Sequence, residues 1–290
     1  MKGIILKNAY YSAPFYVRQC ERMREELAAR GVNAEIRNND FFPALIDGGK
    51  RKLDFDGDFC VYLDKDKYVG RLLTDGGIRL FDTIDSIVAC DDKMCTAMLL
   101  ADHGVPMPKT LPGLLCYRPE ARVSERTLDL IESELGYPMI AKTSHGSMGM
   151  GVYKIDDRET LVAVTERLRL VPHLFQKFVG QSEGRDLRVI VVGGKTLGGM
   201  ERIGTDFRSN IGAGGTGKAC KPDDEAQALC EKIAELLGLD YCGIDLLFGK
   251  DGYELCEVNS NAFFDGFESV TGIDVAGAYA EHIVRTMNKR

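Results

Sequence analysis

The chain opens with apolar residues in two alternating rhythms. A short run around Ile4-Ile5-Leu6 predicts a strand over Gly3 to Lys7, and helical spacing follows from about Pro14 to Arg30, closed by Gly31. Val32 to Arg37, Asp58 to Leu63 and Ile78 to Phe81 read as further strands. This β-α-β rhythm implies a small, mostly parallel sheet with helices packed on it.

Near residue 88 the pattern changes. Asp91 is expected to cap a helix running to about His103, with Met94, Ala97, Met98 and Ala101 on one face and Gly104 ending it. Pro106, Pro108, Pro112 and Pro119 then force extended chain and loop. A helix (Ser124 to Leu135), a strand (Tyr137 to Lys142), a glycine loop, a strand (Gly151 to Ile155) and a helix (Asp157 to Arg169) follow. From His173 strands dominate, interrupted by a helix that starts at Pro222 with Asp223, Asp224 and Glu225 at its positive end. Ala226, Leu229, Cys230, Ile233 and Leu237 form its apolar stripe, and Gly238 stops it. Strands over Cys242 to Phe248 and Tyr253 to Val258 and a helix from Ile273 to about Met287 complete the chain.

Composition narrows the class. The 290 residues, 44% hydrophobic and 28% charged, suit an ordinary globular protein of two or three packed subdomains. The start of the chain lacks the long apolar region of an ordinary signal peptide, and no later run approaches the roughly 18 residues that cross a bilayer. The expectation is a soluble, cytoplasmic protein with no membrane partner. A net charge of −7 argues against general nucleic-acid binding. The nine cysteines are scattered, without a Cys-x-x-Cys pair, and read as reduced thiols.

Four constellations carry candidate chemistry. Lys142 ends a strand, and Gly146-Ser147-Met148-Gly149-Met150-Gly151 follows it. Glycines let backbone N–H groups approach phosphate oxygens, and the lysine adds charge to the same phosphates. The order Gly-x-x-Gly-x-Gly, joining strand to strand, is not the dinucleotide fingerprint, which counts against an NAD-dependent dehydrogenase. On its own the loop is equally a flexible hairpin turn. The second set is acidic: Asp245 interrupts an apolar strand between Ile244 and Leu246, and Glu257 and Asn259 lie two apart on the next. A buried carboxylate needs a partner, and these three oxygens form a hard donor set suited to Mg²⁺. Outward-facing side chains of a half-buried hairpin are the alternative. The third set is cationic: Arg188 after Asp186, Arg202 at a strand end, and Phe207-Arg208-Ser209-Asn210 before the glycine-rich stretch Gly212 to Gly217. Arginine's planar fork suits phosphate and carboxylate, and a glycine loop can close over a reacting centre; a surface arginine on a linker is the dull reading. The fourth is Phe175-Gln176-Lys177-Phe178-Val179, a strand whose backbone can read an adenine edge or merely fill a core. His145 falls in the glycine loop, and no Ser-His-Asp or Cys-His arrangement is legible, so no protein nucleophile is assigned.

In this order the pieces resemble the ATP-grasp superfamily and, within it, the RimK-like α-L-glutamate ligases. The resemblance runs from about Ser86 to Arg290 and is sharpest at Asp92-Lys93, Lys142 with Gly146 to Val152, Asp186-Leu187-Arg188, Phe207 to Asn210, Glu257-Val258-Asn259 and Thr271-Gly272-Ile273-Asp274. It implies an α/β plus α+β molecule with the ATP-grasp fold: an N-terminal Rossmann-like (pre-ATP-grasp) domain over 1–88, a central lobe with the glycine loop over 89–172, and a C-terminal lobe with the metal site over 173–290. Carried over, Lys93 and Lys142 contact ATP phosphates beneath Gly146, Ser147, Gly149 and Gly151. Gln176 and the Lys177-Phe178 backbone meet adenine, Asp186 faces the ribose, and Arg208, Ser209 and Asn210 line the phosphate region. Asp245, Glu257 and Asn259 hold Mg²⁺ (or Mn²⁺). The implied activity is amide formation between a carboxylate substrate and an amine acceptor through an acyl phosphate, glutamate ligation included, with Arg188, Arg202 and Arg208 as catalytic candidates. A non-catalytic ATP-binding module and an enzyme using another nucleophile are the alternatives; the intact acidic set and both lysines oppose the first. Assembly into a homo-oligomer is left open. After Asn259 the family often continues small residue-Ser-Pro-Gly, whereas Ser260-Asn261-Ala262-Phe263-Phe264 stands here, bordering the acceptor side.

Overall fold

A computed structural model describes residues 1–209 and 214–289. The first unit comprises β1 (Lys2–Lys7), α1 (Pro14–Ala29), β2 (Asn33–Asn38), β3 (Ala44–Asp47), β4 (Lys50–Leu53), β5 (Phe59–Leu63), α2 (Lys67–Asp75) and β6 (Arg79–Phe81). Strands β2-β1-β5-β6 form a wholly parallel sheet, and β3 and β4 make a separate antiparallel hairpin. Ile4, Ile5 and Leu6 are fully buried, as both faces of a parallel sheet demand. Helix α1 presents Tyr16, Cys20, Met23 and Leu27 to the core, and Gly31, at φ +74°, turns the chain back toward β2.

Two helices lead onward, α3 (Ile84–Asp91) and α4 (Lys93–Leu100). The expected cap at Asp91 is displaced by one residue. Thr83 starts α3 by accepting from Ser86 N, so helix is already running when Asp91 is reached; extended backbone at Asp92 separates the two helices, and Asp92 caps α4. Asp91 instead holds Lys65 at 2.5 Å.

The central lobe contains β7 (Thr110–Pro112), α5 (Glu125–Leu135), β8 (Met139–Thr143), β9 (Val152–Ile155), α6 (Arg158–Leu168) and β10 (His173–Lys177), its antiparallel sheet ordered β7-β10-β8-β9. Strand β10, which the sequence places at the start of the C-terminal lobe, thus pairs between β7 and β8, and the boundary at 172 moves past Lys177. Leu128, Ile131, Leu161 and Val164 from α5 and α6 pack on Met139, Ala141, Ile155 and Phe175.

The last lobe holds β11 (Arg185–Val192), β12 (Lys195–Ile203), β13 (Thr216–Cys220), α7 (Asp224–Leu236), β14 (Tyr241–Phe248), β15 (Tyr253–Asn259), α8 (Asp265–Thr271) and α9 (Val275–Met287). Its antiparallel sheet runs β13-β12-β11-β14-β15. Alternation divides the two faces. Leu187, Val189, Val191, Ile244 and Leu246 meet α7 with Leu229, Cys230 and Ile233. Ile190, Val192, Met200 and Tyr241 look the other way, into one apolar cluster with Tyr279 and Ile283 of α9, Met23 and Leu27 of α1, and Ile5 and Val61 of the first sheet. The first and last lobes therefore share a core. A polar joint reinforces it: Asp240 accepts from Arg79 at 2.6 Å and pairs with His282 at 2.8 Å, while Asp82 accepts from the Asp240 and Tyr241 N–H groups. No helix among the described residues is long and apolar enough to cross a membrane.

Candidate active site

The sheet face that buries Ile190 and Val192 carries charge at its other end. Asp186 and Arg188 share that face of β11, and cross-strand register sets Arg202 opposite Asp186, Asp245 opposite Arg188, and Glu257 opposite Asp245. Period-2 alternation thus lines up six polar positions, Arg202, Asp186, Arg188, Asp245, Glu257 and Asn259, where the sheet extends beyond its helical cover.

The buried members are tied together. Arg188 donates to Asp245 through Nε and, at 2.8 Å, through Nη2. Arg202 reaches Asp245 Oδ2 at 2.8 Å and Asp186 Oδ1 at 2.7 Å, and the Ser209 hydroxyl also donates to Asp186. Burial works to raise Asp245, but the charges of Arg188 and Arg202 overcome it and hold the carboxyl below its ordinary range. Asp186, with one guanidinium, is pushed upward by burial and then by the charge of Asp245. The isolated acid that the sequence marks between Ile244 and Leu246 therefore has its partners, and they are arginines.

The opposite wall comes from the central lobe. Between β8 and β9 the chain turns through Gly146, Met148, Gly149 and Gly151, all at positive φ, and Thr143 N donates to Gly151 O at 2.9 Å to close the hairpin. Lys93, at the start of α4, donates to Gly146 O at 2.8 Å and approaches Glu257 at 3.4 Å. It fastens the loop to the acidic strand. Lys142 projects toward Cys256, 3.8 Å from its Sγ. Arg208 is held by Asp206 and reaches Gly149 O at 3.4 Å.

These walls enclose two cavities. The first, about 860 Å³ with its mouth, is lined by Lys93, Lys142, Gly146, Ser147, Gly149, Gln176, Lys177, Phe178, Asp186, Arg208 and Ser209, with Ile140, Val152 and Leu247 as apolar faces. The second, about 1480 Å³ with its mouth, is bordered by Arg188, Arg202 and Asn259. Asp245, Glu257, Gly146 and Ser147 border both. Gly151 lines neither; it shapes the hairpin behind the loop. Asn210 lies outside the described residues. Sequence reasoning missed Phe15 and Lys65, which the first unit contributes to the second cavity, and Asp91, which reaches it from the end of α3. Lys65 follows the end of β5, and the carboxyl ends of parallel strands are where open α/β sheets bind ligands, so a signal for it was present.

Whether the acidic set suits a divalent ion can be judged from its donors. Glu257, where the cavities meet, and Asn259, on the second, are partly exposed oxygen donors. Asp245 spends three of its roughly four acceptor positions on the arginines. Magnesium is commonly held by one or two carboxylates, with substrate phosphates and water completing its shell, and this set fits that pattern.

Antiparallel central and C-terminal sheets closing on a glycine hairpin define an ATP-grasp fold. A solved ATP-grasp ligase, PsnB complexed with minimal precursor, Mg and ADP, superposes with a TM-score of 0.71 over 99% of this chain and 98% of that one, at 20% identity. The chain belongs to the RimK-like ATP-grasp family, whose domain matches residues 90–283. It is 38% identical over 234 residues to human N-acetylaspartylglutamate synthase A, covering 79% of this chain and 58% of that protein. It is 33% identical over 211 residues to a probable alpha-L-glutamate ligase of Maridesulfovibrio salexigens, covering 71% and 67%. The chain thus spans little more than half the length of the human relative.

Proposed function

We propose that this protein is an ATP-dependent carboxylate–amine ligase that forms an amide or peptide bond through an acyl phosphate. The observation that carries this reading is the meeting of two cavities at Asp245 and Glu257 beneath one glycine loop. A nucleotide in the first cavity has its terminal phosphate at the mouth of the second, where a carboxylate can wait.

In this reading adenine lies between Ile140, Val152 and Leu247. Lys177 N is already spent on Lys109 O at 2.9 Å, so the base edge is read where the chain leaves the sheet at Phe178. Asp186 faces the ribose, and Lys93, Lys142, Arg208 and the loop N–H groups surround the phosphates, joined by Ser209. Asp245, Glu257 and Asn259 hold Mg²⁺, which when bound neutralises phosphate charge. The substrate carboxylate attacks the γ-phosphorus and ADP departs; an amine then adds to the acyl carbon, and phosphate leaves from the tetrahedral oxyanion. Positioning and charge neutralisation account for most of such catalysis, so no protein nucleophile is required. Arg188 and Arg202 bind Asp245 through Nε or Nη2, which leaves each Nη1 without a partner among the described residues and free to donate to the oxyanion. Three units bounded near 88 and just past Lys177 divide this labour. The nine free thiols accord with a cytoplasmic setting.

The test is incubation with ATP, Mg²⁺ and pools of amino acids, reading phosphate and product mass. Amine-dependent phosphate release with a new amide supports the ligase; phosphate release yielding another acyl product assigns a different nucleophile; ATP binding without turnover across a broad pool assigns a non-catalytic module.

A further inference from the structure

We propose that the second cavity takes a substrate bearing an apolar side group, best an aromatic one, and discriminates against a second carboxylate; this rests on the ligase reading above. One wall is aromatic. Phe263 packs edge-on against Phe15 at 4.7 Å between ring centres and lies 6.3 Å from Tyr11 and 6.0 Å from Tyr16, yet Phe15 and Phe263 both stay partly exposed to the cavity. Buried Phe267 and Met200 back them. An apolar surface of this size left open inside a cleft is a binding surface for matching apolar area.

The charges of the cavity point the same way. Its three lining cations, Lys65, Arg188 and Arg202, are each committed to a carboxylate: Asp91, Asp245, and Asp186 with Asp245. Asp265 lines the same wall, and its carboxylate has no partner among the described residues. A free nitrogen on each arginine serves the reacting oxygen, so a further carboxylate on the substrate meets no uncommitted cation and faces Asp265. Desolvating an unpaired charge there is costly, whereas a phenyl or branched alkyl group meets Phe15 and Phe263. The segment Ser260 to Phe264 is thus the selectivity element, and α1 of the first unit completes it.

The experiment measures phosphate release and product mass with full-length protein, ATP, Mg²⁺ and single or paired amino acids: phenylalanine, leucine, alanine, glutamate, aspartate and lysine. The expected result is a KM for the phenylalanine- or leucine-containing reaction at least roughly tenfold below that for glutamate, the scale on which apolar pockets discriminate. Phe263→Ala should raise that KM about tenfold with kcat nearly unchanged, and Phe263→Leu should restore most of it. Asp265→Asn should narrow the gap to glutamate. Glutamate as the best substrate, with KM indifferent to Phe263→Ala, overturns this inference and leaves the ligase reading standing. No phosphate release with any member or pair overturns both. Melting curves of the three variants confirm that each is folded.

Discussion

The two walls of the cleft hold their charges in opposite ways. On the C-terminal sheet Arg202, Asp186, Arg188 and Asp245 are locked across adjacent strands, each satisfied by the next. On the central lobe Lys142 has only a distant thiol beside it among the described residues, and the loop above is shaped by left-handed residues rather than by a ladder. One wall is a rigid template whose charges are aimed before any ligand arrives; the other can adjust around what it covers. Stabilisation of developing charge depends on groups that need no reorganisation, so the template wall is the place for the chemistry and the adjustable wall the place for capture.

The sharpest way to break this comparison is to remove one acid from each setting. Asp245→Ala and Glu257→Ala should both abolish magnesium-dependent phosphate release. Only Asp245→Ala should also cost roughly 3–5 kcal/mol in urea denaturation, because it leaves the half-buried Arg188 guanidinium without a carboxylate and takes from Arg202 one of its two. Glu257, about a quarter exposed and 3.4 Å from Lys93, should cost under about 1 kcal/mol. Full activity in both variants removes the metal assignment; equal stability losses remove the template. Lys142→Ala on the adjustable wall should slow turnover by roughly 10²-fold while melting changes little. Gly151→Ala is smaller still. An added Cβ would lie 2.4 Å from Thr143 Oγ1 at φ +73°, and the strain, roughly 1–3 kcal/mol, should appear as a raised KM for ATP. An unchanged KM would show that the hairpin's shape does not govern nucleotide capture.

The mildest effect lies away from both walls. Burial, then the charge of Asp240, pushes the Asp82 carboxyl well above its ordinary value. An acid raised on folding contributes fully below its unfolded pKa of about 3.9, and that contribution fades as pH climbs toward and through the folded value. The native protein should therefore lose more melting temperature between about pH 5 and about pH 8 than Asp82→Asn does. Parallel profiles would refute it.

What the sequence revealed follows from how local each signal is. Strands β1, β8 and β14 and helices α1 and α7 are written in continuous apolar patterns, and the glycine hairpin and Asp245 stand out against their neighbours. The hairpin of β3 and β4, with its mostly exposed side chains, and the short α8 carry no such pattern. The partners of Asp245 could not be read at all, since Arg188 lies 57 residues away and meets it only because β11 and β14 pair in that register. The wrong cap at Asp91 has a similar cause: two adjacent aspartates offer the same oxygen, and the Thr83 hydroxyl had already decided which one lay inside a helix.

Gly146 and Ser147 border both chambers, and Lys93 ties that stretch to Glu257. In the proposed ligase the two ligands are consequently not independent tenants. By whatever factor nucleotide alters the hold on the acid or amine, that partner must alter the hold on nucleotide to the same degree, so titrating either one alone will misstate the affinity that matters during turnover.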